Sequence, residues 1–207
     1  MADQITHTKR ELGFVNLTDS EEKKMKEYME CVISYNRHTN IISRNITHSQ
    51  LEQLMKESTL LHPLISSVHV VDAGSGNGLV GIPLAILNHL IQVTLVETRQ
   101  KKIDFLSQAK LDLNLFNVDV QHNDIQRYLS KWNNPGEVSL VARGFPRTDI
   151  LLRLLRRRQI IEVVLITSFG KLKKKQKELE KFRQTLYNIP LRDEIVVVKL
   201  ENVSRET

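Results

Sequence analysis

A chain of 207 residues, 41% of them hydrophobic, is long enough to bury one substantial core. Its single cysteine, Cys31, excludes an internal disulfide and any multi-cysteine metal site, and no apolar run approaches the roughly 18 residues that a membrane span needs. The net charge of +6 is unevenly placed: Arg143 to Arg183 holds thirteen Lys or Arg against four acids, which leaves the remainder net acidic and points to a polyanionic partner.

The opening residues, Met1-Ala-Asp-Gln-Ile-Thr-His, lack the basic and apolar regions of a leader peptide, so a reducing cytoplasm is the expected setting. Thr18-Asp-Ser-Glu21 reads as a capping box. Met25, Tyr28, Met29, Val32, Ile33 and Tyr35 then follow helical spacing, predicting an amphipathic helix to about Tyr35. Asn36 to Asn45 is polar and helix-poor, and Ser49 to Leu61 resumes the pattern before His62-Pro63 stops it. Residues 1–66 are therefore expected to form an N-terminal helical cap, and 67–207 one compact domain.

In that second part, strand-like and helical runs alternate: Val68 to Asp72, Leu79 to His89, Gln92 to Glu97, Arg99 to Leu113, Asn117 to Gln121, Asp124 to Trp132, Glu137 to Ala142, Thr148 to Arg158, Ile161 to Thr167, Lys171 to Leu186 and Glu194 to Leu200. Such alternation predicts an α/β fold, a mainly parallel sheet with helices on both faces. The basic residues Arg153, Arg156, Arg157, Arg158, Lys171, Lys173, Lys174, Lys175 and Lys177 fall on two of the helical runs. They read either as a phosphate-neutralising surface or as solvated helix faces.

The glycine-rich turn Asp72-Ala-Gly74-Ser-Gly76-Asn-Gly78 follows the first strand directly, and Glu97 ends the next one. Glycines allow a tight turn and close approach of backbone to ligand, while a carboxylate ending the second strand can accept hydrogen bonds from a ribose diol. Gly76-Asn-Gly78-Leu-Val-Gly81 formally spells a dinucleotide fingerprint. In dinucleotide folds, however, the first glycine comes where the strand ends, and here Gly76 lies four residues beyond Asp72. The register from Gly74, Asp-x-Gly-x-Gly-x-Gly, resembles motif I of S-adenosylmethionine-dependent methyltransferases. A merely structural turn is the remaining alternative.

Ligands of open α/β sheets sit beyond the carboxyl ends of the strands. The candidate cofactor-binding residues are accordingly Asp72, Gly74, Ser75, Gly76, Gly78 and Leu79, then Glu97 for the ribose, then Asp124, Ile125 and Gln126 for the adenine edge, and Arg143 at the end of the fourth strand. Asp124 reads equally as a helix N-cap.

Further residues resemble the glucose-inhibited division protein B family of small-subunit ribosomal RNA guanine-N7 methyltransferases, from about residue 10 to 200. They are Asp72-Ala-Gly-Ser-Gly-Asn-Gly-Leu-Val-Gly-Ile-Pro83, Tyr35-Asn-Arg-His-Thr-Asn40-Ile-Ile-Ser43, Glu97 with Lys101-Lys-Ile-Asp-Phe-Leu106, and Ala142-Arg143-Gly144-Phe145. The resemblance implies a Rossmann-like class I methyltransferase fold with a seven-stranded sheet, S-adenosylmethionine as cofactor, and ribosomal RNA or the small ribosomal subunit as partner. A monomer is expected. It further implies that Arg143 is the catalytic residue, near both cofactor and guanine, where its planar fork can stack on or hydrogen-bond a base; a surface arginine after a strand is the alternative.

The chain departs from the family pattern at Ala142 and Gly144, where Ser and Ala are usual. It also departs near Gln53-Leu54, where an Arg-His pair is usual, and at Ser168-Phe169-Gly170, where the family has Leu-Lys-Gly. Lys171 stands just beyond the missing lysine. Other methyl-transfer chemistries lack their signatures: Asn133-Asn-Pro-Gly136 precedes a strand and reads as a turn, and Cys31 lies in the cap, away from the place of a C5-pyrimidine nucleophile. The alternatives on the same fold are a small-molecule or protein methyltransferase and a non-catalytic RNA-binding or assembly factor.

Overall fold

A computed structural model describes residues 10–203, so Met1 to His7 and the question of a leader lie outside the described residues. β-Branched runs supply the centre of a sheet: β2 (His69–Ala73), β3 (Gln92–Glu97), β5 (Val138–Arg143) and β6 (Ile160–Ser168) are buried almost throughout. Strands buried on both faces need continuous apolar sequence, which is what these segments have. With β1 (Arg10–Glu11), β4 (Val118–His122), β7 (Arg183–Ile189) and β8 (Arg192–Glu201), they form one eight-stranded sheet in the order β1-β7-β8-β6-β5-β2-β3-β4. All neighbours are parallel except β8, which runs antiparallel to β6 and β7. The two-residue β1 is one strand more than the seven expected.

The last quarter of the chain corrects the expected helix from Lys171 to Leu186. In its place are α7 (Phe169–Lys174), α8 (Gln176–Leu179) and then β7. Leu172, Leu179 and Leu186 keep a heptad spacing that suits a helix. Leu186 nevertheless pairs with Val198 across a hairpin closed by Pro190-Leu191, with Leu191 at φ 63°. The antiparallel partner decides between two readings that local spacing leaves open.

Helices cover both faces. On one side α1 (Asp19–His38) and α2 (His48–Thr59) pack onto α3 (Gly81–Leu87) and α4 (Gln100–Asp112), with Tyr28, Leu51, Leu60, Ile82, Leu95 and Phe105 at their shared core. Each such fully buried side chain contributes roughly 1.5–3 kcal/mol. Both cap helices start at capping boxes, Thr18 with Glu21 and Thr47 with Gln50. On the other side α5 (Ile125–Ser130) and α6 (Thr148–Leu154) lie over Val71, Val96, Leu140 and Val163.

At the amino ends of the strands a buried carboxylate closes the sheet. Glu162 on β6 accepts from Ser66 N at 2.6 Å, Ser66 Oγ at 3.0 Å and Ser139 Oγ at 2.5 Å, and pairs with Lys199 Nζ at 2.6 Å. Lys199 also donates to the Leu64 carbonyl at 3.0 Å, fastening the segment before β2 to the sheet. Burial works against the Lys199 charge, but the hydrogen bond and charge of Glu162 outweigh it and hold the ammonium above its usual range.

Candidate active site

The opposite end of the sheet is open. The strand order reverses between β3 and β5 on either side of β2, and at their carboxyl ends lies a cleft of about 530 Å³, within the usual size of a small-ligand site. Asp72, Gly74, Ser75, Gly76, Leu79, Glu97, Asp124, Ile125 and Arg143 all line it. Two expected residues do not. Gly78 turns inward against Ile82 and Leu106, and Gln126 gives its amide to the Asp124 cap at 2.8 Å.

The loop after β2 is strapped to β3: Gly74 N and Ser75 N both donate to the Val96 carbonyl, at 2.9 and 3.0 Å. Gly74 has φ 68°, and a Cβ there would meet the Phe145 ring at 2.9 Å. Position 74 thus demands glycine both for its left-handed backbone and for its neighbour. Gly81 is needed differently, since a Cβ would lie 2.2 Å from Leu95 Cδ2 where α3 meets β3. It is the close-packing glycine of the strand–turn–helix unit.

Glu97 is almost fully buried and braces the loop. Its Oε1 accepts from Thr98 N, Arg99 N and Thr98 Oγ1 at 2.8, 2.9 and 3.2 Å, whereas Oε2 accepts only from Gly76 N at 3.0 Å. A carboxylate has about four acceptor positions, so Oε2 is the oxygen with capacity for a diol. Asp72 is 1% exposed and accepts from Gly81 N at 3.0 Å. Burial, with the Glu97 charge nearby, pushes its carboxyl up to about 7 against the opposing Gly81 and Ser75 hydrogen bonds. Above it Tyr28, from the cap, donates to the Asn77 carbonyl at 2.6 Å. Burial first, then the charge of Asp72, drives that phenol well above its usual range, so it stays a donor.

Among the lining residues that were not candidates from sequence, three bear on the site. Asn77, 6% exposed, has a side-chain nitrogen with no hydrogen-bond partner, and a buried unpaired donor marks a place where a ligand acceptor fits. Lys102 comes over from α4; burial lowers its ammonium against the pull of Glu97. Phe145 packs over Gly74. Lys102 had a signal in the Lys101-Lys102 pair after Glu97; an orphaned amide has none.

Arg143 ends β5 and lines the cleft with 18% of its side chain exposed, so it is no surface arginine. One terminal nitrogen bonds the Glu57 carboxylate and the other reaches the Leu54 carbonyl at 3.5 Å, both on α2. Glu57 is fully buried; its Oε1 has no hydrogen bond and stands 3.6 Å from Arg192 Nε on β8. One carboxylate thus serves two arginines. Leu54, Glu57 and Leu61 share a helical stripe, and the acid interrupting it was the only sequence trace of this contact. Asp124 caps α5 by accepting from Gln126 N and Arg127 N. Ser168 caps α7 by accepting from Lys171 N at 3.4 Å.

The basic stretch divides. Arg143 and Arg147 line the cleft, and α7, carrying Lys171, Lys173 and Lys174, begins at the same end of the sheet. Arg156, Arg157 and Arg158 precede β6 and lie at the opposite end, with Arg156 stacked 5.9 Å from the Phe182 ring centre.

Comparison with known proteins agrees with this architecture. The family model described as rRNA small subunit methyltransferase G (GidB) matches residues 21–203. A ribosomal RNA small subunit methyltransferase G from Brachyspira hyodysenteriae is 27% identical over 197 residues, covering 94% of this chain and 91% of that protein. One from Nitrosomonas europaea is 36% identical over 131 residues, 63% of this chain and 60% of its own length, so the match spans less than two thirds of that relative. Among solved structures, a methyltransferase from Geobacter sulfurreducens superposes with a TM-score of 0.57 at 17% identity, over 90% of this chain and 92% of that one. The 23S rRNA methyltransferase ErmE gives 0.53 at 16%, over 73% and 67%. At such identities the structures speak for the class I methyltransferase fold alone. No helix among the described residues is long and apolar enough to cross a membrane.

Proposed function

Because the chain belongs to the rRNA small subunit methyltransferase G family, we propose that it transfers a methyl group from S-adenosylmethionine to N7 of a guanine in small-subunit ribosomal RNA. The observation that carries this reading is the convergence of the Gly74 loop, the free acceptor capacity of Glu97, the unpaired Asn77 amide and Arg143 on one cleft. S-adenosylmethionine, when bound, supplies a methyl group on a positively charged sulfur. The residues present fit that molecule: Asp72 and the loop amides suit its amino acid part, Glu97 Oε2 its ribose hydroxyls, and the rim at Asp124 and Ile125 its adenine.

Guanine N7 already bears a lone pair, so no proton leaves before attack and the cleft requires no general base. The protein's task is alignment, with orientation settled by binding before transfer. Arg143 is the proposed catalytic residue, and Glu57 and the Leu54 carbonyl fix its planar fork at the cleft wall. Methylation adds positive charge to guanine. The Glu57 carboxylate behind Arg143 offsets the arginine's own charge, so the wall can contact the base without a full opposing cation. Within this reading, α1 and α2 act as a cap on the sheet that carries the cleft, and the protein works as a cytoplasmic monomer on ribosomal RNA or the small subunit.

The test is to incubate ribosomal RNA and small-subunit particles from a host lacking this protein with labelled S-adenosylmethionine and map alkali-labile N7-methylguanine. Label at one guanine N7 is expected. Label on protein or small molecules alone, or RNA binding without S-adenosylmethionine affinity, would replace the proposal with one of its alternatives.

A further inference from the structure

The cap carries a hollow of about 300 Å³ between the last turn of α1 and the loop entering α2. Its floor is apolar, made by Val32 and Ile33 of α1 with Ile42 and Ile46 of the loop. Arg37, Arg44 and His48, all exposed, form its rim. Asn36 sets the shape: its side-chain oxygen accepts from Ile41 N at 3.0 Å and Ile42 N at 3.1 Å, and its amide donates to the Ser43 carbonyl at 3.4 Å. No Asp or Glu occurs between Glu30 and Glu52. Neither Arg37 nor Arg44 forms an ion pair among the described residues.

We infer that this hollow seats one unpaired nucleotide of the RNA substrate, with its base on the isoleucine and valine floor and its phosphates on Arg37 and Arg44. An apolar floor ringed by unpaired cations is amphipathic in the sense a nucleotide is: a flat face to cover and a charge to neutralise. A simple anion leaves the floor unused, and an apolar helix leaves the cations unused. One helix carries the hollow and braces the cleft loop. Tyr28, whose hydroxyl holds the Asn77 carbonyl, and Asn36 sit on the same helix, about 12 Å apart at 1.5 Å per residue. The inference rests on RNA being the substrate.

Direct binding of a fluorescent single-stranded ribo-oligonucleotide tests it without methyl transfer. The double variant Arg37→Ala/Arg44→Ala changes only exposed side chains, and unchanged S-adenosylmethionine affinity checks that it folds. Losing two phosphate contacts lowers the slope of log affinity against log salt by roughly 1.4, so from 50 to 200 mM salt the wild type loses about sevenfold more affinity than the variant. In methylation of small-subunit particles, the variant's KM rises while kcat holds. An unchanged slope and oligonucleotide affinity, beside normal wild-type methylation, overturns the hollow and spares the reaction. Loss of oligonucleotide binding in the variant, with a wild type that methylates no RNA, sustains the hollow and overturns the reaction. A variant that loses affinity for an acidic peptide and none for RNA also overturns the inference.

Discussion

The two ends of the sheet treat buried carboxylates in opposite ways. At the amino ends Glu162 meets four donor groups from three residues, one of them a lysine, and every acceptor position is used. At the carboxyl ends Asp72 holds one backbone amide beside a like-charged Glu97, Glu57 leaves an oxygen without a hydrogen bond, and Asn77 leaves a donor without an acceptor. Burying polar groups is tolerable when they are satisfied and costly when they are not. At the closed end the carboxylate is completed as a lock, although Trp132 Nε1, beside His69, keeps an unpaired donor there too. The open end keeps unmet hydrogen-bonding capacity, which a ligand can complete.

Breaking the lock is expected to give the largest effect. Lys199→Met leaves Glu162 charged and enclosed, and removing one partner of a buried pair costs about 3–5 kcal/mol. Urea unfolding should show that loss, whereas S-adenosylmethionine affinity at a temperature where the variant is folded should stay at the wild-type level. A fall in affinity of tenfold or more would show that the two ends are not separable.

Arg143 belongs to both descriptions, since it lines the cleft and neutralises Glu57. Arg143→Ala is expected to cost about 3 kcal/mol by leaving that carboxylate facing Arg192 alone, and to slow methyl transfer more than it weakens cofactor binding. Adding Glu57→Gln removes the stranded charge. The double variant should regain most of the stability and none of the rate. If rate returned with stability, Arg143 would act only as a strut.

Asp72 makes the contrast visible as pH dependence. Its carboxyl titrates at about 7 in the folded protein, above its unfolded value near 3.8, because burial and then the Glu97 charge disfavour the anion. A raised acid contributes stability that is complete below the unfolded value and disappears as pH rises through the folded one. Between pH 5 and pH 8 this amounts to roughly 2–3 kcal/mol. Asp72→Asn should remove that slope from the difference between variant and wild-type urea curves. Binding of a cationic ligand favours the anion, so S-adenosylmethionine affinity should rise with pH across the same window in the wild type alone.

The open end was largely legible in the sequence because its requirements are local. A strand, three glycines, and an acid ending the next strand place Asp72, Gly74 and Glu97 at neighbouring strand ends whatever the rest of the chain does. What could not be read depends on distant partners. Glu57 sits in an ordinary amphipathic helix and acquires its role only when β5 and β8 bring Arg143 and Arg192 to it. β7 keeps a leucine spacing that a helix would also keep, and only β8 selects the strand. The sequence placed Asp124 at the cleft without deciding its task, and the side chain is occupied as a helix cap. Asn77 was passed over because its unpaired donor results from what the fold leaves out.

The smallest expected effect isolates the loop itself. Gly74→Ala places a side chain at φ 68°, which costs about 1–2 kcal/mol, and its Cβ meets the Phe145 ring at 2.9 Å. Either the loop holds and stability falls by that amount, or the loop moves and the same energy emerges as about a tenfold loss of S-adenosylmethionine affinity. Calorimetric titration beside urea unfolding separates the two. Phe145→Ala on the same background clears the ring but leaves the backbone strained, so it should restore only part of whichever quantity fell. Full restoration would make Phe145, not the left-handed turn, the reason position 74 is glycine, and the loop would then owe its shape to packing from the segment after β5 instead of to its own sequence.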